Sequence, residues 1–195
     1  MSLRSAFKLV FGESFSFSFH EPKLSSRFNA AARHYRPDES PAYDPRSWRC
    51  SGRNCYTYAL NIPEHGWGRP GQLMLRNLDR RGLEYGPYIE PCASVLNSLL
   101  QGDGLVRVDH SDFGLYKHIL FSCLDTGPQN EMRDFHFYRR DSNGLWSHKA
   151  GPGAVSDRDE NGGLIVSPET CDRGRYTTDV GYYAVPPEGI RYVVP

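Results

Sequence analysis

Cys55 stands at the head of a short helical pattern, Asn54-Cys55-Tyr56-Thr57-Tyr58-Ala59-Leu60-Asn61. Ser51 or Asn54 can cap its first turn, and Pro63 forbids continuation much beyond Asn61. Free backbone N–H groups and the helix dipole at such a start stabilise a thiolate and lower its pKa. Cys55 is therefore a candidate nucleophile, set against the plainer reading of a small buried hydrophobe beside Tyr56 and Leu60. A thiolate nucleophile needs a base held within hydrogen-bond reach. His136 is the candidate: alternation along its strand sends Phe135 and Phe137 one way and Asp134, His136, Tyr138 and Arg140 the other.

A turn then relates a second histidine to the first. Asp141-Ser142-Asn143-Gly144 suits a type I turn closed by a left-handed residue in a three-residue loop. That register pairs Arg140 with Trp146 and Tyr138 with His148. It leaves His136 and His148 as diagonal neighbours on one face, roughly 7–8 Å apart at Cα. His148 can then hold the His136 imidazole in one tautomer, the orienting role of a third catalytic member. A four-residue loop would turn His148 to the other face.

The elements that must position these groups fall in a definite order. Residues 1–40 read as an N-terminal arm or a secretion and docking segment. They hold an alternating Ser14–Phe19 run and a short helical stretch over 29–33. The main domain is expected over 41–195. Its helices come first, around Cys55 and over 91–100, where Val95, Leu96, Leu99 and Leu100 form an apolar stripe. Strands follow over 117–123, 135–140, 145–149 and 181–185. Helices followed by antiparallel strands predict an α+β domain.

A cysteine opening an early helix, a histidine on a mid-chain strand and a polar orienter on the next strand resemble the papain-like cysteine hydrolase superfamily. Asn54–Asn61, Asp134–Arg139 and Trp146–Lys149 carry the resemblance, which spans about residues 48–185. It is similar in particular to bacterial cell-wall endopeptidase-like or effector-type members. It implies a papain-like fold in which helices, with the nucleophile at a helix start, pack on a central antiparallel sheet. It also implies acyl transfer from an amide by Cys55, with His136 as base and His148 as third member. Asp172 is the rival third member and Asp179 a weaker one, and Asn54 and Trp48 are candidates for the oxyanion site or its support.

Composition bounds the rest. The chain has 195 residues with 23 basic and 23 acidic side chains, so its formal net charge is zero. That balance argues against a partner held by bulk charge, nucleic acid included. Nineteen glycines, 14 prolines and 13% aromatic residues disfavour long helical bundles. No apolar run is long enough to span a membrane, and the first dozen residues lack the apolar core of a signal peptide. Five cysteines without paired spacing disfavour both a disulfide framework and a zinc site. The Asp157–Gly162 loop lacks the closing glutamate of a calcium loop, since Pro168 is its twelfth residue. The expectation is an enzyme without cofactor or metal, cytoplasmic in its producer or delivered by a non-Sec secretion system as an effector or toxin. Its substrate would be a peptide, protein or peptidoglycan, and an immunity protein or chaperone is a further expected partner. The alternative is a non-catalytic binding module with a groove lined by Trp67, Trp146, Tyr182 and Tyr183.

Overall fold

A computed structural model describes residues 32–49, 52–73, 92–129 and 132–194. These residues form a mixed α+β unit. Its elements are β1 (Ala32–Tyr35), α1 (Cys55–Ala59), α2 (Cys92–Gly102), β2 (Val106–Val108), β3 (Ile119–Thr126), β4 (Met132–Arg140), β5 (Trp146–Lys149), β6 (Val155–Ser156), β7 (Thr178–Ala184) and β8 (Ile190–Val193). Short 3₁₀ turns lie at Pro63–His65 and His110–Leu115. Six strands form one antiparallel sheet in the order β2-β7-β3-β4-β5-β6, while β1 and β8 pair separately. None of the described helices is long and apolar enough to cross a membrane.

The expected helix around Cys55 forms because Asn54 caps it in both directions. The Asn54 Oδ1 accepts from Thr57 N at 3.3 Å, and the Thr57 hydroxyl accepts from Asn54 N at 3.4 Å. Asn54 also donates to the Gly68 carbonyl at 2.6 Å, tying the cap to the next loop. A Cβ at Gly68 would come 2.6 Å from the Thr57 methyl, so this approach requires glycine. After Leu60 the chain leaves the helix through Asn61, whose φ of 56° is the left-handed conformation that asparagine tolerates. All five α1 residues are buried, because α1 packs on β4 and β5 rather than floating on the surface.

The β4–β5 hairpin has the three-residue loop. Asp141 N donates to the Leu145 carbonyl at 2.8 Å, and Tyr138 pairs with His148 and Arg140 with Trp146. Gly144 supplies the positive φ, 83°, that the turn demands.

The compact unit of the described residues starts at Ala32. Two expectations change. Ala32 and Arg33 are strand, not helix, because β8 offers a partner: Ala32 pairs with Val193 and Tyr35 with Ile190. The Ser14–Phe19 run lies outside the described residues. Second, β2, β6 and β8 add to the expected strands, being two to four residues long and so too short to show a period.

Three polar groups, His118 and Arg139 buried and Asp103 half-buried, bind these elements together. His118 lies on the lead-in to β3, where its Nε2–H donates to the Ala59 carbonyl at 2.6 Å and its Nδ1 accepts from the Tyr35 hydroxyl at 3.0 Å. Asp103, past the end of α2, accepts from Tyr56, Gly71 N and Leu73 N. Arg139 on β4 bonds Asp141, Tyr58, Asn61 and the Ala42 carbonyl.

Burial pushes the His118 imidazole down to about 3, and His65, His136 and His148 are also lowered, each first by burial. The native state thus binds fewer protons than the unfolded chain below pH 6.5. Histidine-linked stability is complete above that pH and is lost as pH falls through 6.5 toward 3. Asp103, raised to about 6 by burial, opposes this below pH 6, since its native form takes up a proton first. Denaturant midpoints measured from pH 7.5 to 5 are expected to fall with acidification, by up to about 1.4 kcal/mol per pH unit for each buried histidine. His118→Gln is expected to lower stability at pH 7.5 and to flatten that slope. An unchanged slope would show that His118 is not held neutral.

Candidate functional site

Cys55 does occupy the first helical position, yet its surroundings are those of a packed thiol. The residue is 5% exposed within a cluster that includes Tyr56, Phe135 and Phe137. Its Sγ donates weakly to the Phe135 carbonyl, 3.9 Å away. Burial, and then the negative charge of Asp134, pushes its pKa up to about 12. Desolvation of the thiolate outweighs the single turn of dipole that α1 can supply.

His136 and His148 do meet. The His136 Nε2 lies 2.7 Å from His148 Nδ1, and His148 Nε2 lies 3.1 Å from the Arg158 carbonyl. A carbonyl only accepts, so His148 carries its proton on Nε2 and presents Nδ1 as an acceptor. His136 must then donate from Nε2, which leaves its Nδ1 as an unprotonated lone pair. Burial lowers both imidazoles, and the neighbouring His148 and Arg175 lower His136 further. Both rings are neutral at pH 7.

The faces of these rings are covered by residues that the sequence reading missed. Tyr176 stacks on His136 with centroids 4.8 Å apart, and Tyr138 stacks on His148 at 5.0 Å. The Tyr176 hydroxyl donates to Asp134 at 2.8 Å, and Arg175 also bonds Asp134. Tyr176 sits in an irregular loop, Arg173-Gly174-Arg175-Tyr176, where no periodicity points it at β4.

The site residues therefore separate into two groups. His136 contacts His148, Tyr138 and Tyr176, while the Cys55 thiol turns to the Phe135 carbonyl, and no hydrogen bond joins Cys55 to His136. Asp172 is occupied within its own loop: its Oδ1 takes Gly174 N at 2.9 Å and its backbone N goes to Asp159. Asp179 pairs with Arg173. Asn54 is spent on the cap, and Trp48 packs against Tyr58 under the Arg53 guanidinium. The Asp157–Gly162 loop closes on the Asp159 carboxylate, which accepts from Asn161, Gly163 and Asp172 N–H groups. Among the described residues no group of three His, Cys, Asp or Glu side chains is placed to hold a metal ion. Nor do the aromatics of the alternative groove line an open surface, since Trp146, Tyr182 and Tyr183 are buried, Trp146 against Tyr182, and of the four only Trp67, at 52%, is exposed.

The class of molecule that emerges is an α+β protein whose antiparallel sheet and helices are joined by buried, mutually satisfied polar groups. The chain belongs to the same family as insoluble matrix shell protein 1 of Ruditapes philippinarum. The two are 32% identical over 152 residues, which cover 76% of this chain and 92% of the relative. No family model and no solved structure matches the chain. This kinship corrects the expected function: a relative named as a shell matrix protein points away from a bacterial thiol hydrolase, amidase, effector or toxin.

Two outcomes check this geometry. On alkylation of the native protein at pH 8, Cys55 is expected to react more slowly than the half-buried Cys171, with no change on His136→Ala; rapid modification of Cys55 below pH 7 would contradict a buried neutral thiol. In nitrogen-15 spectra at pH 7.5, both His136 and His148 are expected as Nε2–H tautomers. A proton on His136 Nδ1 would break the assigned chain from His136 through His148 to Arg158.

Proposed function

We propose that this protein is a non-catalytic structural component of an insoluble protein matrix. The kinship to insoluble matrix shell protein 1, over most of both chains, is the observation that carries the reading. The site geometry supports it, because Cys55 is a buried neutral thiol and the histidine pair is locked under two tyrosines. The helix-on-sheet layering stays compatible with the papain-like arrangement expected from sequence, and in this reading it is scaffold. Cys55 then fills space between α1 and β4, and the His136–His148 pair ties β4 to β5 and, through the Arg158 carbonyl, to the loop beyond β6. The expected peptidoglycan substrate, immunity protein and chaperone lose their basis with the hydrolase reading.

Sequential extraction of the producing tissue tests the proposal. Antibodies against residues 32–194 are expected to find the chain in the fraction that resists salt and mild detergent and yields only to denaturant. Recovery of all of it in the first aqueous extract would overturn the proposal.

A further inference from the structure

Two carboxylates face each other on the β3–β4 ladder. Asp125 and Asp134 are direct register partners, and like charges so placed repel. The counter-ion comes from the loop that leads into β7. Arg175 bridges the pair: its Nη2 donates to the Asp134 carboxylate, and its Nε lies 3.6 Å from the Asp125 Oδ2. The Tyr176 hydroxyl donates to the same Asp134 oxygen at 2.8 Å, while its ring stacks on His136. The acid pair is thus a seat on the sheet, and the loop carries the cation that occupies it.

The loop is fastened tightly at its root and loosely at this seat. Arg173, whose side chain is 10% exposed, pairs with Asp179 on β7 and lies over the Phe121 ring. Past the loop, the Thr178 and Thr126 hydroxyls meet at 3.0 Å. Between these points Gly174 has a φ of 57°, the left-handed conformation that suits a glycine hinge. Among the described residues, Gly174–Thr177 hydrogen-bond to the sheet through Asp134 alone. The Arg175 and Asp134 side chains are 61% and 39% exposed. Ion pairs so exposed hold weakly and are screened by salt. His136 beneath them is buried and held in the β3–β4 ladder, so the cover opens at lower free energy than the sheet.

We propose that Gly174–Thr177 is a strap, latched by Arg175 across the Asp125–Asp134 pair, whose opening uncovers His136 while the sheet stays folded. Opening gives access to the His136 Nδ1, the one nitrogen of the histidine pair without a hydrogen bond among the described residues. The strap is independent of the matrix reading, since the latch is the same whether or not the chain lies in an insoluble phase.

Acylation by diethyl pyrocarbonate at pH 7.5, followed residue by residue by peptide mass spectrometry, tests the strap, because the reagent takes unprotonated imidazole nitrogens. His136 is expected to react far more slowly than the exposed His34 and His110. Its rate is expected to rise about two- to fivefold between about 0.05 and 0.5 M sodium chloride, as the latch is screened. Arg175→Gln is expected to raise it about fivefold or more and to remove the salt dependence. Arg175→Gln combined with Asp134→Asn relieves the repulsion that the single variant leaves, and His136 is expected to react as fast there. His118, fully buried against Ala59 and Tyr35, is expected to stay unmodified throughout. An unchanged His136 rate in either variant would overturn the strap. So would His118 reacting in step with His136, since exposure would then come from unfolding of the whole sheet.

Discussion

The Arg139 guanidinium is fully buried, and the layering of the fold depends on its being satisfied there. An unpaired charge in such a place costs several kcal/mol, and breaking a buried pair typically costs about 3–5 kcal/mol. Arg139 avoids this by engaging Asp141, also buried, at the β4–β5 turn. Its other bonds go to the Tyr58 carbonyl and hydroxyl and to Asn61 at the end of α1, and to the Ala42 carbonyl in the loop before α1. The guanidinium carbon also lies 4.2 Å from the Tyr58 ring centroid. One side chain thus fixes where α1 sits on the sheet, how the hairpin turns and where the preceding loop crosses. The Tyr58 hydroxyl extends the network to Ser147 on β5 at 2.6 Å.

Because α1 is held this closely against β4, Cys55 is dry. The same clamp that makes a five-residue helix stable removes the water that a thiolate would need. A helix start favours a thiolate only where the dipole exceeds the desolvation cost, and one turn in a closed core does not. The histidines show the same logic from the other side. Each neutral imidazole has one donor and one acceptor, so His118 and His148 can each join two elements without carrying a charge. His118 joins the last residue of β1 to the end of α1, and His148 joins β4 to the loop beyond β6.

Much of this was legible in the sequence where local chemistry decides. Asn54, Asn61 and Pro63 mark the limits of α1, and Asp141 to Gly144 mark a hairpin whose register brings His136 and His148 together. What could not be read was which way the second partner of each group lies. Cys55 and His136 have the residue types of a nucleophile and base, but only tertiary packing decides that the thiol turns to the Phe135 carbonyl. Tyr176 and Arg175 arrive over β4 from a loop more than thirty residues away, held by Asp134 in an ion pair that no spacing rule anticipates. The strand β1 was hidden for a related reason: Ala-Arg-His-Tyr has no period of its own and becomes a strand only because Ile190–Val193 lies beside it.

The neutral net charge takes on a different meaning in this light. It is not the residue of a featureless surface, since several of the charges that cancel are structural. Arg139 and Asp141 cancel inside the core, and Lys149, also buried, is spent on the Gly151 and Gly153 carbonyls at 2.8 and 2.7 Å. Arg173 with Asp179 and Arg175 with Asp134 pin the loop that covers His136. Charges committed in this way do not attract partners. In a protein balanced at zero and with these charges spent inside the fold, the long-range field has little to offer a charged ligand.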